Sequence, residues 1–406
     1  MESTGSRRGW LNSTVLGVAI ASLFSDVGHE MATAAMPALL ATLGASSATL
    51  GLIEGVADGV SSFAKLVSGL YSDKLARRKP LAVVGYFVTA AGMASFAVAT
   101  QTWHVAVGRV GGWLGRGART PVRNVLMTEA TTAETRGRAF GFERAMDSSG
   151  AVIGPLLAML ILATLGTRWV FALTIVPGLL AALSITFLVR ERPHVPRTKA
   201  RLLDGLRATP RPFKRFLLAV LFAGLGDYSN TLLILWATQA WTPAYGVHRA
   251  ATMAMGFYVL YNVVYTATCY ASGALADRMP KRKLLAGGYA LAVLPAIALL
   301  LPGDSIAKFA AAFALSGLYM GIWETVESAS AADYLPSEVR GAGFGMLATV
   351  NGIGDLVSSV AVGALWVASP KIAMAYVIAT ALLGAALLSR TKPATGGLAA
   401  SAVRRV

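Results

Sequence analysis

The stretch from Gly69 to Lys79, GLYSDKLARRK, recurs in the second half of the chain from Gly273 to Lys283, as GALADRMPKRK. A second pair of motifs has the same spacing, because RGRAFG at 136–141 recurs as RGAGFG at 340–345. Both pairs are 204 residues apart, and chance does not explain two independent motifs with one offset. A fixed internal period is typical of a repeated architecture. The sequence therefore predicts two homologous halves in one chain.

The composition places both halves in a lipid bilayer. Of the 406 residues, 55% are hydrophobic and only 14% are charged, whereas soluble proteins carry about 25% charged residues. Apolar runs of spanning length predict twelve helices. Their expected cores are 14–41, 46–71, 80–100, 103–126, 139–163, 167–189, 215–240, 250–276, 284–302, 305–332, 342–367 and 370–390. No alternating pattern suggests a membrane β-barrel, so the predicted fold class is an all-α integral membrane protein.

The repeat also predicts how the chain is divided. We expect an N-terminal six-helix bundle at 1–189 and a C-terminal six-helix bundle at 215–390, with a short cytoplasmic tail at 391–406. The segment between the bundles, 190–214, is rich in basic residues and proline. It is predicted to be a solvated linker that lies against an anionic leaflet.

The net charge of +16 would suggest a nucleic-acid partner in a soluble protein. Here, however, 26 of the 36 basic residues fall on one side of the predicted membrane. The loops on the other side hold only Arg168, Arg249, Lys308 and Lys371. This positive-inside bias predicts that both termini are cytoplasmic, in the inner (plasma) membrane. No nucleic-acid partner is expected, because no aromatic residue for base stacking appears in the basic linker before Phe213.

The sequence also argues against an enzyme. It contains neither the Gly-Lys dipeptide of a Walker loop nor a Gly-x-Ser-x-Gly motif. The single cysteine, Cys269, excludes a multi-cysteine metal centre. We therefore expect no enzymatic activity, no cofactor and no resident metal.

Two six-helix halves, a long basic linker and a Gly-x-x-x-Asp loop followed by basic residues, after helices 2 and 8, resemble the major facilitator superfamily of secondary transporters. The resemblance covers essentially the whole chain. One departure is mild, since Ala76 and Pro280 stand where the loop of the family has a second glycine. The resemblance implies a monomeric transporter that works by alternating access, with a small-molecule substrate, protons and the lipid bilayer as its partners.

The resemblance also implies that the repeated loops are gates. Asp73 is expected to contact the start of helix 11, and Arg77 the acidic end of helix 4 near Glu129, which would close the cytoplasmic side in the outward-facing state. The glycines would permit close helix approach, and an aspartate can cap a helix start. A simple topology signal is the alternative, although it does not explain Gly69 or Asp73. The predicted gating residues are Gly69, Asp73, Arg77, Arg78, Glu129, Gly273, Asp277 and Arg282.

Helix 5 contains the sequence Gly150-Ala-Val-Ile-Gly154-Pro155. It looks like the start of the Gly-x-x-x-Gly-Pro motif of the exporters in the drug:proton antiporter branch, although the glycine pair that usually follows is replaced by Leu156-Leu157-Ala158. Close helix packing with a proline kink is the alternative explanation. The motif favours export.

Charged residues within the predicted helices are functional candidates, because each costs several kcal/mol at depth unless it is paired or hydrated. Six are basic: Lys65, Arg109, Arg116, Arg119, Arg123 and Arg144. Ten are acidic: Asp26, Glu30, Glu54, Asp58, Glu143, Asp147, Asp227, Glu324, Glu327 and Asp355. The acidic excess implies that some carboxylates are protonated, hydrated or bound to a cation.

In the superfamily, helices 1, 4, 7 and 10 line the central cavity, and this chain places polar residues on all four. Asp26, His29 and Glu30 share one face of helix 1, while helix 4 carries a stripe of arginines. The candidates for proton coupling are Asp26, Glu30, Glu54 and Glu324. The candidates for the substrate cavity are His29, Arg109, Arg116, Asp227, Asn230, Trp323 and Glu327. Permanently ionised pairs that only hold the helices together remain the alternative.

The predicted function is secondary active transport, as proton-coupled export of a small molecule. An importer of an organic anion is an alternative, because the helix 4 arginines could clamp a carboxylate or phosphate. Internal pairing of Arg109 and Arg116 would weaken it. A metal or metallophore transporter, with Asp26, His29, Glu30 and Met31 near its cargo, is a further alternative, as is a membrane sensor without transport.

Overall fold

The computed structural model describes residues 9–45, 47–191, 204–228 and 230–391. These residues form helices and connecting turns, with no strand among them. The helices make twelve membrane-spanning segments, some of which consist of two pieces, a and b. Their bounds are α1 Ser13–Thr42, α2 Ser47–Ser72, α3 Lys79–Ala94, α4 Thr102–Ala130, α5 Arg136–Leu165, α6a Thr167–Leu173, α6b Ile175–Leu188, α7a Arg211–Gly224, α7b Asn230–Tyr245, α8 Val247–Ala276, α9a Lys281–Leu291, α9b Val293–Leu300, α10 Ile306–Tyr334, α11 Arg340–Ala368 and α12 Pro370–Arg390.

The predicted fold class, with twelve spanning helices, is confirmed. Within the described ranges, eight spans are long and apolar enough to cross a membrane on composition alone. The other four, α2, α4, α7 and α8, are more polar or, in α7, interrupted. Of the predicted linker, a short helix at Asp204–Ala208 is described. Residues 192–203 and the predicted tail beyond residue 391 lie outside the described residues, and the division of the chain at 190–214 stays a prediction.

Three spans that were predicted as continuous helices, 6, 7 and 9, consist of two pieces, and the longest interruption is in helix 7. Instead of one helix at 215–240, the structure has α7a and α7b with a break between them. The amide of Gly226 bonds the carbonyl of Ala223 at 3.0 Å, and the amide of Asp227 bonds that of Gly224 at 3.1 Å. These i to i+3 bonds tighten the end of α7a, and glycine is a poor helix former. The break places Asp227 at an interruption of the helix within the membrane.

The two halves meet where the repeated motifs cross. Gly69 of α2 lies against α11, so that a Cβ atom on it would be 2.9 Å from the Cα of Gly345. In the same way, a Cβ atom on Gly273 of α8 would be 3.0 Å from the Cα of Gly141 on α5. A larger side chain at either position would force the helices apart. Each loop motif of one half thus packs on the helix-start motif of the other half.

Each loop aspartate caps a helix of the opposite half. Asp73 accepts hydrogen bonds from the backbone amides of Gly341, at 2.9 Å, and Ala342, at 2.8 Å, at the start of α11. Asp277 accepts from the amides of Gly137, at 2.7 Å, and Arg138, at 3.1 Å, at the start of α5. The first amides of a helix have no partner within it and carry a partial positive charge. The expected contact of Asp73 with helix 11 is therefore present, together with its counterpart in the second half.

We call the end of the bundle that carries these four motifs the motif face. Phe140 and Phe344, which are equivalent in the repeat, lie side by side across the two halves, with ring centroids 6.4 Å apart. Further from the motif face, the hydroxyls of Ser148 and Thr266 are 2.8 Å apart. These contacts join the halves, so the structure is closed at the motif face.

The closed interface predicts that Gly273→Ala loosens the contact between α5 and α8. Overpacking of this kind costs about 1–3 kcal/mol, which raises the population of open molecules roughly tenfold. The single cysteine, Cys269, is a natural reporter, because it is fully buried and its backbone contacts Gly141 in the same interface. The rate of maleimide alkylation of Cys269 should rise in Gly273→Ala. In the control Gly256→Ala, on the same helix, the new methyl group meets nothing within 4 Å, and an equal rise there would contradict the prediction.

Candidate functional site

A ladder of arginines on α4 is paired with carboxylates of neighbouring helices. Arg109 is 2% exposed and contacts Glu54 of α2, with 2.8 Å between Nη2 and Oε1. Its Nε also donates to Oε2 of Glu54 at 3.1 Å, so the pair is bidentate. Glu54 was predicted as a coupling group and Arg109 as a cavity residue, and the structure brings them together.

Further along α4, Arg116 contacts Asp26 of α1 at 3.5 Å. Arg123 contacts the buried Glu143 of α5 at 2.7 Å. The hydroxyl of Ser22 lies between the two groups, accepting from Arg123 at 2.9 Å and donating to Glu143 at 2.6 Å. The arginine stripe therefore connects α4 with both α1 and α5.

The guanidinium of Arg119 has a different set of partners from those of the other arginines on α4. Among the described residues it has no carboxylate within ion-pair distance, although it is only 4% exposed. Its Nη2 donates to the hydroxyl of Ser25 at 2.6 Å, and its guanidinium lies 4.0 Å from the ring centroid of Tyr86. The aromatic face supplies part of the compensation that a carboxylate would give.

Trp113 is a member of this network that the sequence reasoning missed. Its ring lies 4.1 Å from the guanidinium of Arg109 and 4.4 Å from the ring of His29. Its indole nitrogen donates to Asp58 at 2.5 Å. The signal was present in the spacing, because Trp113 is four residues after Arg109 and so lies on the same helical face.

The acidic face of α1 packs tightly on α5. A Cβ atom on Gly150 would lie 2.8 Å from the Cβ of Asp26, and one on Gly154 would lie 2.7 Å from the Cβ of Glu30. The Gly-x-x-x-Gly-Pro sequence thus acts as a close-packing surface, with Pro155 inside a continuous α5. Glu30 is 28% exposed at its side chain and lies 3.6 Å from His29.

In the loops that were predicted to be gates, one expected contact is wrong. Arg78, not Arg77, binds Glu129 of α4, at 2.6 Å. Arg78 is completely buried and also donates to the carbonyl of Ser72 and to Asp73, whereas Arg77 is exposed. The reason is local: Arg78 immediately precedes α3, and its side chain turns back under the loop.

The second half differs from the first in the same region. Lys281, the repeat equivalent of Arg77, contacts Asp333 of α10 at 3.0 Å, and Arg136 of the first half also contacts Asp333 at 2.9 Å. Asp333 lies 204 residues after Glu129, so the repeat offset could have identified it. The predicted gating residue Arg282 instead donates to the carbonyls of Ser389 and Thr391 at the end of α12.

Arg144 of α5 bridges the two halves near the middle of the bundle. Its Nη1 lies 3.5 Å from Asp147 on its own helix and 3.5 Å from Glu324 on α10. Glu324 also accepts a hydrogen bond from the hydroxyl of Tyr265 on α8. The predicted coupling candidate Glu324 is therefore part of the contact between the halves.

Glu327 has different surroundings. It is 3% exposed, and neutral groups from three helices donate to its carboxylate. Tyr289 of α9a donates at 2.9 Å, Trp323 of α10 at 2.7 Å and Asn351 of α11 at 2.6 Å. Among the described residues, no basic group lies within 4.0 Å of it. Glu327 is thus a deeply buried carboxylate held by neutral donors alone.

Glu327 borders a central cavity of about 360 Å³ between the halves. The polar and charged residues around it come from α2, α4, α5, α7, α10 and α11, and include the predicted Asp227, Trp323 and Glu324. Asp227 accepts a hydrogen bond from Tyr319 at 3.2 Å. The side chain of Asn230 lies outside what the structure describes. The predicted Arg109, Arg116 and His29 are not among the residues that line this cavity.

No group of three or more His, Cys, Asp or Glu residues that could hold a metal ion occurs in the described part of the chain. The cluster of Asp26, His29 and Glu30 therefore does not form such a site in this conformation.

The family model of the Major Facilitator Superfamily matches residues 18–359. The chain belongs to this superfamily. An uncharacterized MFS-type transporter of Methanocaldococcus jannaschii is 25% identical over 382 residues, which cover 93% of this chain and 94% of that protein. The multidrug resistance protein MdtH of Photorhabdus laumondii is 34% identical, but over only 109 residues, or 26% of this chain and 27% of that protein.

Solved structures of the superfamily share the fold. The human organic anion transporter MFSD10 has a TM-score of 0.75 at 16% identity and covers 93% of this chain and 99% of its own. The fucose:proton symporter FucP of E. coli has a TM-score of 0.75 at 17% identity, with 94% and 98% covered. As a member of this superfamily, the protein is a multi-pass membrane transporter.

The buried ion pair of Arg123 and Glu143 can be tested by its effect on the stability of the protein. Arg123→Leu removes the close partner of the buried Glu143 and leaves it only the 4.0 Å contact with Arg144; breaking a buried pair costs up to about 3–5 kcal/mol and should lower the melting temperature in detergent. The double variant Arg123→Leu/Glu143→Leu should recover part of the loss, because no uncompensated charge remains. The control is Arg278→Leu, at an exposed arginine with no ion pair among the described residues. If the double variant melts at a lower temperature than both Arg123→Leu and Glu143→Leu, the result contradicts the pairing of these two residues.

Proposed function

We propose that this transporter is a proton-coupled exporter of a small molecule, with the motif face on the cytoplasmic side. The asymmetry of the basic residues supports that orientation. In this orientation the structure is closed towards the cytoplasm, as expected for an outward-facing or occluded stage of an alternating-access cycle.

The observation that carries proton coupling is the environment of Glu327. A carboxylate within a membrane protein is costly to keep charged without a partner or water, and Glu327 has only the neutral donors described above. It also borders the cavity, so a proton can reach it when the cavity is open. The charged groups around the same cavity are Lys65, Arg144, Asp227, Glu324 and Asp355.

Other carboxylates named from the sequence are less suited to this role. Glu54 is engaged by Arg109, Glu324 by Arg144, and Asp26 by Arg116. A proton arriving at any of them must compete with an arginine for the charge. Glu30, whose one ion-pair contact within the described chain is with His29, is our second candidate for a coupling group.

Export is supported by two weaker observations. The Gly150 to Pro155 sequence resembles the exporter motif, and the short match to MdtH belongs to a protein named for multidrug resistance. Import of an organic anion is less well supported, because Arg109 and Arg116 are paired with Glu54 and Asp26. We further propose that the protein acts as a monomer in the inner membrane.

Glu327→Gln should abolish proton coupling while preserving the shape of the cavity. Compounds are first screened in inverted vesicles that contain the wild-type protein, with and without an imposed pH gradient. For a compound that the wild type accumulates, the variant should exchange it across the membrane but should lose accumulation driven by the gradient. Asp304→Asn, at an exposed carboxylate, should behave as wild type. Proton-driven accumulation by Glu327→Gln would exclude Glu327 as the coupling group. If the wild type shows no gradient-driven flux of any compound, proton-coupled export itself is contradicted.

A further inference from the structure

We propose that the central cavity selects small organic cations that carry N–H donors, such as protonated amines. This inference rests on the proposed transport function and names the class of its substrate. It follows from the charges that line the cavity, from the neutral polar groups between them and from the aromatic rings on one wall.

With every carboxylate ionised, the side chains that line the cavity carry a net negative charge. Four carboxylates line it, from α7, α10 and α11: Asp227, Glu324, Glu327 and Asp355. Two cations line it, Lys65 and Arg144. Arg144 is already shared between Glu324 and Asp147, so it attracts an incoming anion weakly. Three carboxylates, Asp227, Glu327 and Asp355, have no ion pair among the described residues, and Lys65 is the one lining cation without such a pair.

The remaining arginines of the membrane region lie elsewhere. Arg109, Arg119 and Arg123 are each at most 5% exposed and are held by the partners described above. Arg116, whose side chain is 30% exposed, contacts Asp26 at 3.5 Å and is not among the residues that line the cavity. An anionic substrate in the cavity would therefore meet unpaired carboxylates, with Lys65 as its available counter-charge.

Neutral polar groups in the cavity wall are independent signs of a ligand. Asn124 of α4 is 8% exposed and Ser328 of α10 is 6% exposed, and both line the cavity. Neither side chain has a hydrogen-bond partner within the described chain. Their polar atoms are not among the fully occluded ones that lack a partner, so these two side chains, one from each half, are accessible to a polar molecule between them. Both offer oxygen acceptors to an N–H donor.

The wall formed by α10 adds an aromatic surface. Trp323 lines the cavity, and Tyr319 lies beside it with ring centroids 6.3 Å apart. A cation near such rings gains electrostatic attraction from their faces. A volume of about 360 Å³ is at the lower end of the range of small-molecule pockets, roughly 300–1,000 Å³. The cavity thus fits a compact amine with an aromatic or aliphatic body.

The test uses four probes with one naphthyl body and different head groups. They are 1-naphthylmethylamine, its N,N,N-trimethyl derivative, 1-naphthylmethanol and 1-naphthoate. Equilibrium binding is measured by fluorescence on the full-length protein in detergent, which avoids passive diffusion of the amine across a bilayer. We expect the primary amine to bind most tightly, the trimethyl derivative and the alcohol more weakly, and the carboxylate least.

Three variants locate the interaction. Asp227→Asn should weaken binding of the amine about tenfold, as expected for the loss of one hydrogen bond to a charged group, with little effect on the alcohol. Ser328→Ala should weaken binding of the amine by a smaller factor. This smaller change serves as the second test in case Asp227→Asn does not fold. Lys65→Gln removes the opposing charge and should strengthen binding of the amine. Asp304→Asn is the control and should leave all four affinities unchanged.

The outcomes separate this inference from the proposed function. Preferential binding of the carboxylate or the alcohol would overturn the cation class, as would binding of none of the probes, while proton-driven flux of another compound would still support transport. Equal binding of the amine and its trimethyl derivative would overturn the requirement for N–H donors. Conversely, selective binding of the amine with no gradient-driven flux of any compound would leave the cation site in place and contradict proton-coupled export.

Discussion

The closed conformation depends on two aspartates that each complete a helix of the opposite half. A helix start has amide groups that its own turns cannot satisfy, and in α5 and α11 these groups are met by Asp277 and Asp73. The same crossing brings Gly273 against Gly141 and Gly69 against Gly345. A carboxylate that caps a helix across an interface gains both hydrogen bonds and the attraction of the helix dipole. Separation of the halves at the motif face loses both, which makes this contact a natural point of control for the whole bundle.

Above that contact, the membrane region is organised by pairing its charges. The arginines of α4 are neutralised or stacked within the first half, and Arg144 is neutralised across the interface. Such pairs hold helices in register at little net gain in stability, because each charge has lost its water. Among the described residues, carboxylates without a lysine or arginine partner remain around the cavity in the second half, where Glu327 and Asp227 lie, and in the first half at Asp58 and Glu30. The two homologous halves have thus diverged in role, with a largely charge-paired first half and an acidic cavity wall in the second.

Much of this could be predicted from the sequence, because it depends on spacing along the chain. The apolar runs predicted the spans, and the resemblance to the major facilitator superfamily implied the contact between Asp73 and the start of helix 11. Where several residues of one type stand together, spacing was insufficient. Arg77 and Arg78 are adjacent and chemically alike, and only the turn before α3 decides that Arg78 is buried against Glu129. Likewise, spacing along the chain does not say that Glu54 is the carboxylate that meets Arg109, because this depends on the rotation of α2 relative to α4.

The sequence by itself determined the class of protein, the number of spans and the relation of the halves, since hydropathy and an internal repeat are properties of the chain. It also identified the charges that need an explanation, because burial of charge in a bilayer is costly whatever the fold. Only the tertiary structure decided which of those charges are compensated. Helix rotation and tilt are set by side-chain packing over the whole bundle, and shifts of a few ångströms decide whether an arginine meets a carboxylate. That is why Glu327, one of ten acidic residues in the predicted helices, stands out only when its three neutral donors are brought around it.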